Sequence, residues 1–166
     1  YGSDWSRGTD NMIAWCWRAN GGSTSSNTDG DVTSTVQANT KAGFSIVTYT
    51  GNRSSAGTST VGHGLGGVPD MFITKPTSHS GRWYVWHTGM SGASYMLELN
   101  TNSAEQDKSA NGSMSLPTST VFDITYTEGL GENGETHIGY FWRSIEGYSK
   151  FGKYTGNGDA DGPFIY

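Results

Sequence analysis

The sequence has little charge, four prolines, one cysteine and no long apolar run. Charged residues make up 15% of its 166 positions, which is too few for a helical bundle or a coiled coil. Ten basic residues face 15 acidic ones, and the net charge of −5 argues against a nucleic-acid-binding surface. No stretch approaches the roughly 18 apolar residues of a membrane-spanning helix. We therefore expect neither nucleic acid nor membrane as a partner.

The single cysteine, Cys16, excludes an internal disulfide bond. It lies in the apolar run 13–17, and we expect it to be a small buried side chain rather than a reactive thiol. The first residues lack the charged and apolar regions of a signal peptide. We expect one domain cut from a longer protein and stabilised by packing and by backbone hydrogen bonds.

The sequence is rich in small polar residues and in aromatic residues. Glycine, serine, threonine and asparagine occupy 76 of the 166 positions, and aromatic residues make up another 13%. That many aromatic rings need a core in which to be buried, so the composition excludes a disordered chain. Short β-branched and aromatic segments separated by turn residues are typical of a β-rich domain with long polar loops.

Apolar residues that alternate with polar ones predict strands. Phe122, Ile124 and Tyr126, for example, share one face of such a segment, and no window shows a helical period. The predicted strands are 12–18, 32–37, 43–50, 69–75, 82–88, 94–99, 120–127, 136–144, 148–155 and 163–166. Many short strands at this spacing predict an all-β fold, a single antiparallel β-sandwich of jelly-roll or concanavalin-like type over residues 1–166.

The chain contains an internal repeat of a strand pair. Residues 43–52 (GFSIVTYTGN) match residues 147–157 (GYSKFGKYTGN), with one extra residue in the second copy. Upstream of each, residues 13–18 (IAWCWR) match residues 138–143 (IGYFWR). Repeated sandwich units are typical of extracellular fibres and adhesins. The two copies cover residues 13–52 and 138–157.

Several motifs together are specific for one family. They are residues 15–22, 27–30, 34–39, 42–51, 62–66, 68–71, 146–152 and 161–164. Through them the chain resembles, over nearly its whole length, a domain of unknown function found in structural proteins of marine bacteriophages, including cyanophages. The resemblance implies an extracellular module of a tail fibre or other virion-surface appendage, often beside concanavalin-like sandwich domains. It also implies other virion proteins as partners and a homotrimer as the assembly, and it assigns no catalytic residues.

Aromatic faces with polar groups beside them favour sugar binding. In the segment 82–88, Trp83 and His87 share one face of the predicted strand, and Tyr84 and Trp86 share the other. One face must point into the core, and the other is free to contact a ligand. Trp83, Tyr84, Trp86 and His87 are therefore the candidate residues for binding a host-surface glycan.

The segment 157–162 (NGDADG) matches the first half of a calcium-binding loop. Oxygen ligands from Asn157, Asp159 and Asp161 would converge on a cation because the glycine allows a sharp turn. No glutamate follows to complete the loop, and ordinary turn chemistry explains the same residues. The sequence therefore allows two alternatives, a structural calcium ion in this loop or no cofactor at all.

The sequence contains candidate residues for two kinds of catalytic site, that of a glycosidase and that of a polysaccharide lyase. A glycosidase needs two carboxylates across a cleft, and among the candidates Glu98 and Asp123 lie in predicted strands. The other candidate carboxylates are Glu128, Glu132, Glu135 and Glu146. A polysaccharide lyase is the second arrangement, because the segment 148–154 resembles the Y-x-K-x-G-x-Y strand of jelly-roll alginate lyases, although the partner motifs of that family are absent. Its residues would be Tyr148, Lys150, Tyr154, His137 and Arg143.

The leading expectation is a non-catalytic virion-surface module that adheres to host-surface glycans. A jelly-roll polysaccharide lyase or glycosidase is one alternative, and a structural spacer or capsid decoration with no ligand is the other. Adhesion needs two or more exposed aromatic side chains on one surface, whereas a spacer needs none.

Overall fold

The computed structural model describes residues 14–163, and this part of the chain is all-β. It contains ten strands and one short 3-10 helix, Ser109–Asn111, and within that range it has no α-helix. Accordingly, nothing among residues 14–163 is a helix long and apolar enough to cross a membrane. The strands are β1 Ser25–Asn27, β2 Ser34–Asn39, β3 Phe44–Thr50, β4 Thr58–Gly62, β5 Met71–Pro76, β6 Tyr84–His87, β7 Tyr95–Glu98, β8 Gln106–Asp107, β9 Val121–Thr125 and β10 Thr136–Trp142.

Eight strands form one large antiparallel sheet in the order β1-β2-β3-β10-β5-β6-β7-β8. The other two strands, β4 and β9, form a small antiparallel sheet whose side chains share a core with the large one. The predicted all-β sandwich is therefore confirmed. In the large sheet β10, although late in the chain, inserts between β3 and β5.

The core forms where alternate side chains of the two sheets face each other. The large sheet contributes Phe72, Phe141, Val47 and Tyr49 to this core. From the small sheet, the ring centroid of Phe122 lies 4.7 Å from that of Phe141 and 5.3 Å from that of Phe72. The three phenylalanine rings are fully buried, so their packing fixes the two sheets against each other.

The outer face of the large sheet carries a second, smaller apolar cluster. Phe44 of β3 and Trp142 of β10 are cross-strand partners, with ring centroids 5.2 Å apart. The ring of Trp17, from the segment before β1, lies 5.5 Å from that of Trp142, and Phe151, from the segment after β10, packs on the same cluster. The segments on both flanks of the sandwich thus contact its outer face and not its core.

Seven of the ten predicted strands coincide with observed strands, but the three flanking ones do not. The described residues of these three are 14–18, 148–155 and Pro163, and none of them lies in a strand. Residues 12, 13 and 164–166 lie outside the described part of the chain. In the described residues of these flanking segments, no neighbouring strand pairs with the backbone groups. Cys16, expected to be buried, is exposed in the first of them.

One carboxylate, Glu98 of β7, is buried inside the sandwich. Its side chain is 2% exposed and accepts hydrogen bonds from Arg82 and from Lys108, whose Nζ lies 3.4 Å from Oε1. Burial would raise the pKa of Glu98, but the hydrogen bonds and charges of its two partners outweigh burial and lower it. Because these partners engage its carboxylate, Glu98 stabilises the fold and is no longer a glycosidase candidate.

Replacing Lys108 by methionine should destabilise the domain. The substitution keeps an apolar stem near the Tyr84 ring but leaves Glu98 with one cationic partner, which should cost about 1–3 kcal/mol. Urea unfolding followed by tryptophan fluorescence measures the loss. Lys41→Met, at an exposed position, is the control and should stay within about 0.5 kcal/mol. Equal losses in the two variants would contradict the structural role of Glu98.

Candidate functional site

A cleft of about 530 Å³ opens at one end of the sandwich. It lies where β3 and β5 end and where β10 begins, so loops from distant parts of the chain meet there. The residues that line it are Arg53, Ser54, His79, Tyr126, Glu132, Asn133 and Glu135. The register of the sheet, and not proximity in sequence, brings these residues together.

His79 lies among three carboxylates at this cleft. Its Nδ1 is 3.3 Å from Oε2 of Glu135, and its Nε2 is 3.9 Å from Oε1 of Glu128 and 4.0 Å from Oε2 of Glu132. The latter two oxygens are therefore at most about 8 Å apart. The four side chains are between 31% and 44% exposed, so a ligand can reach all of them.

Glu135 is the most firmly held of the three carboxylates. The Ser78 hydroxyl donates a hydrogen bond to its Oε2, and His79 approaches the same oxygen. The hydrogen bond from Ser78, followed by that from His79, lowers the pKa of Glu135. At neutral pH Glu135 is thus an ionised acceptor and not a general acid.

Two paired loops form the floor of the cleft. The backbone N–H of Arg53 donates to the carbonyl of Gly131 at 2.9 Å, and the N–H of Asn133 donates to the carbonyl of Arg53 at 3.0 Å. Gly51 passes so close to the second loop that a Cβ there would collide with the carbonyl oxygen of Glu132. These contacts fix the two loops against each other at the cleft.

Tyr126 gives the cleft an aromatic face, since its side chain follows β9 and is 44% exposed. Arg53 adds a guanidinium whose Nη1 and Nη2 donate to the Ser59 hydroxyl and to the Ala56 carbonyl, while its Nε has no partner. An exposed ring beside carboxylates, an imidazole, an amide and a guanidinium can recognise both the apolar face and the hydroxyls of a sugar.

The four residues of the predicted glycan site do not share one surface. Tyr84 and Trp86 face the core, and each is 3% exposed. Trp83 and His87 are half-buried on the opposite face of the sheet. Trp83 borders a shallow cavity of about 150 Å³, which is smaller than the cleft around His79. Of the four residues, Trp83 alone lines this shallow cavity, where a ligand could contact it.

The predicted lyase residues are not brought together. His137 and Arg143 lie at opposite ends of β10, so their Cα atoms are about 20 Å apart. His137 is fully buried, whereas Tyr148, Lys150 and Tyr154 are exposed in the segment after β10. A tyrosine acid–base and the groups that assist it must all reach one substrate, and this placement does not allow it.

The predicted calcium residues form a turn. The side-chain oxygen of Asn157 accepts the backbone N–H of Asp159 at 3.1 Å, and the N–H of Gly162 donates to the Asp159 carbonyl at 3.1 Å. Asn157, Asp159 and Asp161 are all exposed. In the described range 14–163, no group of three or more His, Cys, Asp or Glu side chains is placed to hold a metal ion.

Sequence reasoning names Glu128, Glu132 and Glu135 as candidate carboxylates but favours those inside strands, whereas these three lie in the loop between β9 and β10. Their spacing of four and three residues in a glycine-rich loop is the signal that could have indicated converging side chains. Asp123, a candidate inside a strand, does not line the cleft. Its Oδ2 accepts the backbone N–H of Ser115, with an N···O distance of 2.7 Å. No sequence pattern marks His79, because the fold alone places it there.

Comparison with protein families gives one match. Residues 2–166 match the family described as Domain of unknown function (DUF7483). The chain belongs to the DUF7483 family. The description assigns this family no activity, so the function of the DUF7483 domain has to be inferred from its own chemistry. Comparison with curated proteins and with solved structures finds no match.

Two histidines of this DUF7483 domain are buried, and they differ in their partners. His63 accepts the N–H of Leu65 at Nδ1, at 3.2 Å, and its Nε2 lies 3.2 Å from the Thr118 carbonyl oxygen. His137 stacks on Tyr49 with ring centroids 5.2 Å apart, but neither of its ring nitrogens makes a well-formed hydrogen bond. Burial lowers the pKa of both side chains, that of His137 to about 4.

The domain should lose stability as the pH falls from 6.5 to 4, because the unfolded chain binds protons that the two buried histidines exclude. His137 should contribute up to about 3 kcal/mol of this loss. His137→Phe should keep the stack on Tyr49, remove that contribution, and leave stability at pH 7 unchanged or higher. Urea unfolding at pH 7 and at pH 4 measures each effect.

His63→Phe is the matched control for this experiment. It leaves the Leu65 N–H and the Thr118 carbonyl unpaired, and it should cost about 1–3 kcal/mol at pH 7. A His137→Phe variant that is as unstable as His63→Phe, or that keeps the full pH dependence, would contradict the difference between the two sites.

Proposed function

We propose that this domain is a non-catalytic carbohydrate-binding module and that the cleft around His79 is its binding site. The observation that carries the proposal is the exposed ring of Tyr126 beside converging carboxylate, imidazole, amide and guanidinium groups. The cleft is lined by one exposed aromatic ring and not by the two that the sequence analysis asks of an adhesin, so its polar groups must supply the rest of the contact. A sugar would stack its apolar face on the ring while its hydroxyls donate to the carboxylates. Glu135, ionised and held by Ser78, is the strongest fixed acceptor.

The charge of the cleft favours one class of glycan. Three carboxylates, Glu128, Glu132 and Glu135, surround His79, and the guanidinium of Arg53 lines the same cleft. Like charges repel across an interface, so sulfated and uronate-rich polysaccharides should bind less well than neutral or amine-bearing sugars. The volume of about 530 Å³ lies within the usual range for small-ligand pockets and suits a short stretch of such a chain.

We infer further that the module lies on the surface of a virion, in a tail fibre or another appendage. The resemblance to marine bacteriophage structural proteins supports this location, with host-surface glycan and other virion proteins as partners and a homotrimer as the assembly. The low content of charged residues, 15%, suits salt water, where screening weakens surface ion pairs. Packing and uncharged hydrogen bonds, on which this fold mainly depends, persist there.

A glycosidase is the enzyme that a specific observation favours as the alternative. Oxygens of Glu128 and Glu132 approach the same nitrogen of His79 and are at most about 8 Å apart. Carboxylate pairs of glycosidases are roughly 5–9.5 Å apart. A structural spacer or capsid decoration with no ligand is the remaining alternative, and it predicts no binding at the cleft.

Glycan-array binding of the purified domain tests the proposal. The panel contains laminarin, alginate, fucoidan and bacterial lipopolysaccharide, each with and without calcium. We expect saturable binding that favours neutral laminarin. Tyr126→Ala should weaken it roughly tenfold, because one stacked ring contributes about 1.5 kcal/mol. Tyr148→Ala removes an exposed ring outside the cleft and should bind like the unmodified domain.

The same samples are read for reducing ends and for unsaturated products. If the unmodified domain releases reducing ends and neither the Glu128→Gln nor the Glu132→Gln variant does, the domain is a glycosidase. Calcium-dependent binding that Asp159→Asn abolishes would instead place a cation in the loop 157–162. Binding to no glycan would leave the spacer as the better account, and binding that Tyr126→Ala does not weaken would overturn the proposed site.

A further inference from the structure

The two flanking segments of the sandwich carry copies of its own central strands. Residues 147–157 repeat the sequence of β3, and residues 13–18 repeat that of β10. β3 and β10 are neighbours in the large sheet and are joined by seven residue pairs. Yet residues 147–157 and the described part of 13–18 lie outside every strand. Of the two copies of each motif, one forms a strand and the other does not.

Side chains at matching positions have opposite environments. Phe44 and Tyr49 of β3 are 3% and 4% exposed, whereas their counterparts Tyr148 and Tyr154 are 70% and 67% exposed. The Tyr49 hydroxyl donates to the Leu130 carbonyl at 2.8 Å inside the core. Large exposed aromatic rings within one short segment indicate side chains that another element covers. The segment after β10 thus carries the counterparts of two buried β3 side chains, one from the outer cluster and one from the core, and leaves both exposed.

The segment before β1 shows the same mismatch. Trp17 matches Trp142 of β10, but Trp17 is 53% exposed and Trp142 is 6% exposed. In the described part of the chain nine large hydrophobic side chains are exposed, and four of them belong to the two flanking segments. These four are Trp15, Trp17, Tyr148 and Tyr154. The exposed aromatic surface is therefore concentrated where the repeated motifs lie.

The pattern of residues 148–155 keeps the two faces of a β3 strand. Ile46 and Thr48 point away from the core, and their counterparts are Lys150 and Lys153, which tolerate solvent. The core-facing Tyr49 is matched by Tyr154. The one extra residue in the second copy is a glycine, which suits a β-bulge.

The large sheet offers this second β3 sequence no place. Its own β3 already lies between β2 and β10. The edge strands β1 and β8 have three and two residues, too few to pair with a strand of about eight residues. A second β3 strand therefore needs a second sheet with a position beside its own β10.

We propose that residues 147–157 form the β3 strand of a second sandwich of this fold in the same polypeptide, and that residues 14–18 belong to the β10 strand of a preceding one. The protein is then a linear array of sandwiches that follow one another directly. β10 ends at Trp142, which leaves no room for a β1–β2 hairpin before Gly147. The second sandwich therefore begins with β3 at the edge of its large sheet. This organisation does not depend on what the cleft binds.

A tandem chain tests the proposal. Residues 1–157 are followed directly by a second copy of residues 53–146, so that Asn157 precedes Arg53 as Asn52 does in the first copy. The calorimetric unfolding enthalpy per chain should rise to roughly 1.7 times that of the 166-residue chain, because enthalpy scales with folded residues and the second sandwich has about 105 of them. Backbone amides of residues 150–155 should exchange rapidly in the single chain and become protected in the tandem chain.

Two control chains decide between the outcomes. In the first, residues 43–52 replace residues 147–157 at the junction, and both sandwiches should fold. In the second, Tyr154→Asp places a charge at the core position of Tyr49 and should unfold the second sandwich alone. If both sandwiches fold in the first control but only the first sandwich folds in the tandem chain, residues 147–157 are not a β3 strand. The proposal requires a sandwich without the β1–β2 hairpin to fold. It would therefore also be overturned if the second sandwich failed to fold in both the tandem chain and the first control.

Discussion

The pairing of β3 with β10 is the interaction on which the rest of the structure depends. It joins segments from opposite halves of the chain through seven residue pairs at the centre of the large sheet. The pairing continues beyond the strands, since Gly51 donates to the Glu135 carbonyl and Gly134 donates to the Gly51 carbonyl, both at 2.9 Å. A slip of one residue would turn Tyr49 and His137 out of the core and would also misplace the loops of the cleft.

The strands that sequence could predict are those with one clear apolar face. β3, β5, β9 and β10 alternate, and each overlaps a predicted segment. β1, β4 and β8 were not predicted, because they are short and mostly polar and become strands only through their partners. The segment 148–155 shows the opposite case, since it has the pattern of β3 but no partner within the described chain. Pattern predicts the capacity to form a strand, and pairing decides whether one forms.

The candidate site was harder to predict than the fold, for two physical reasons. Alternation places Trp83 and Tyr84 on opposite faces of β6 but cannot say which face meets the small sheet, and it is Tyr84 that enters the core. The residues of the cleft lie in separate loops, and only the order of the strands brings His79 beside Glu135. The carboxylates were visible as candidates in the sequence, but their convergence on His79 was not.

Mapping of amide chemical shifts during titration with laminarin oligosaccharides tests most directly whether the cleft is a sugar-binding site. The account predicts saturable shifts centred on Arg53, His79, Tyr126 and Asn133, with the opposite end of the sandwich unchanged. Shifts confined to the surroundings of Trp83 on the outer face of the sheet would contradict it. The absence of shifts with laminarin, alginate and fucoidan oligosaccharides alike would contradict it as well.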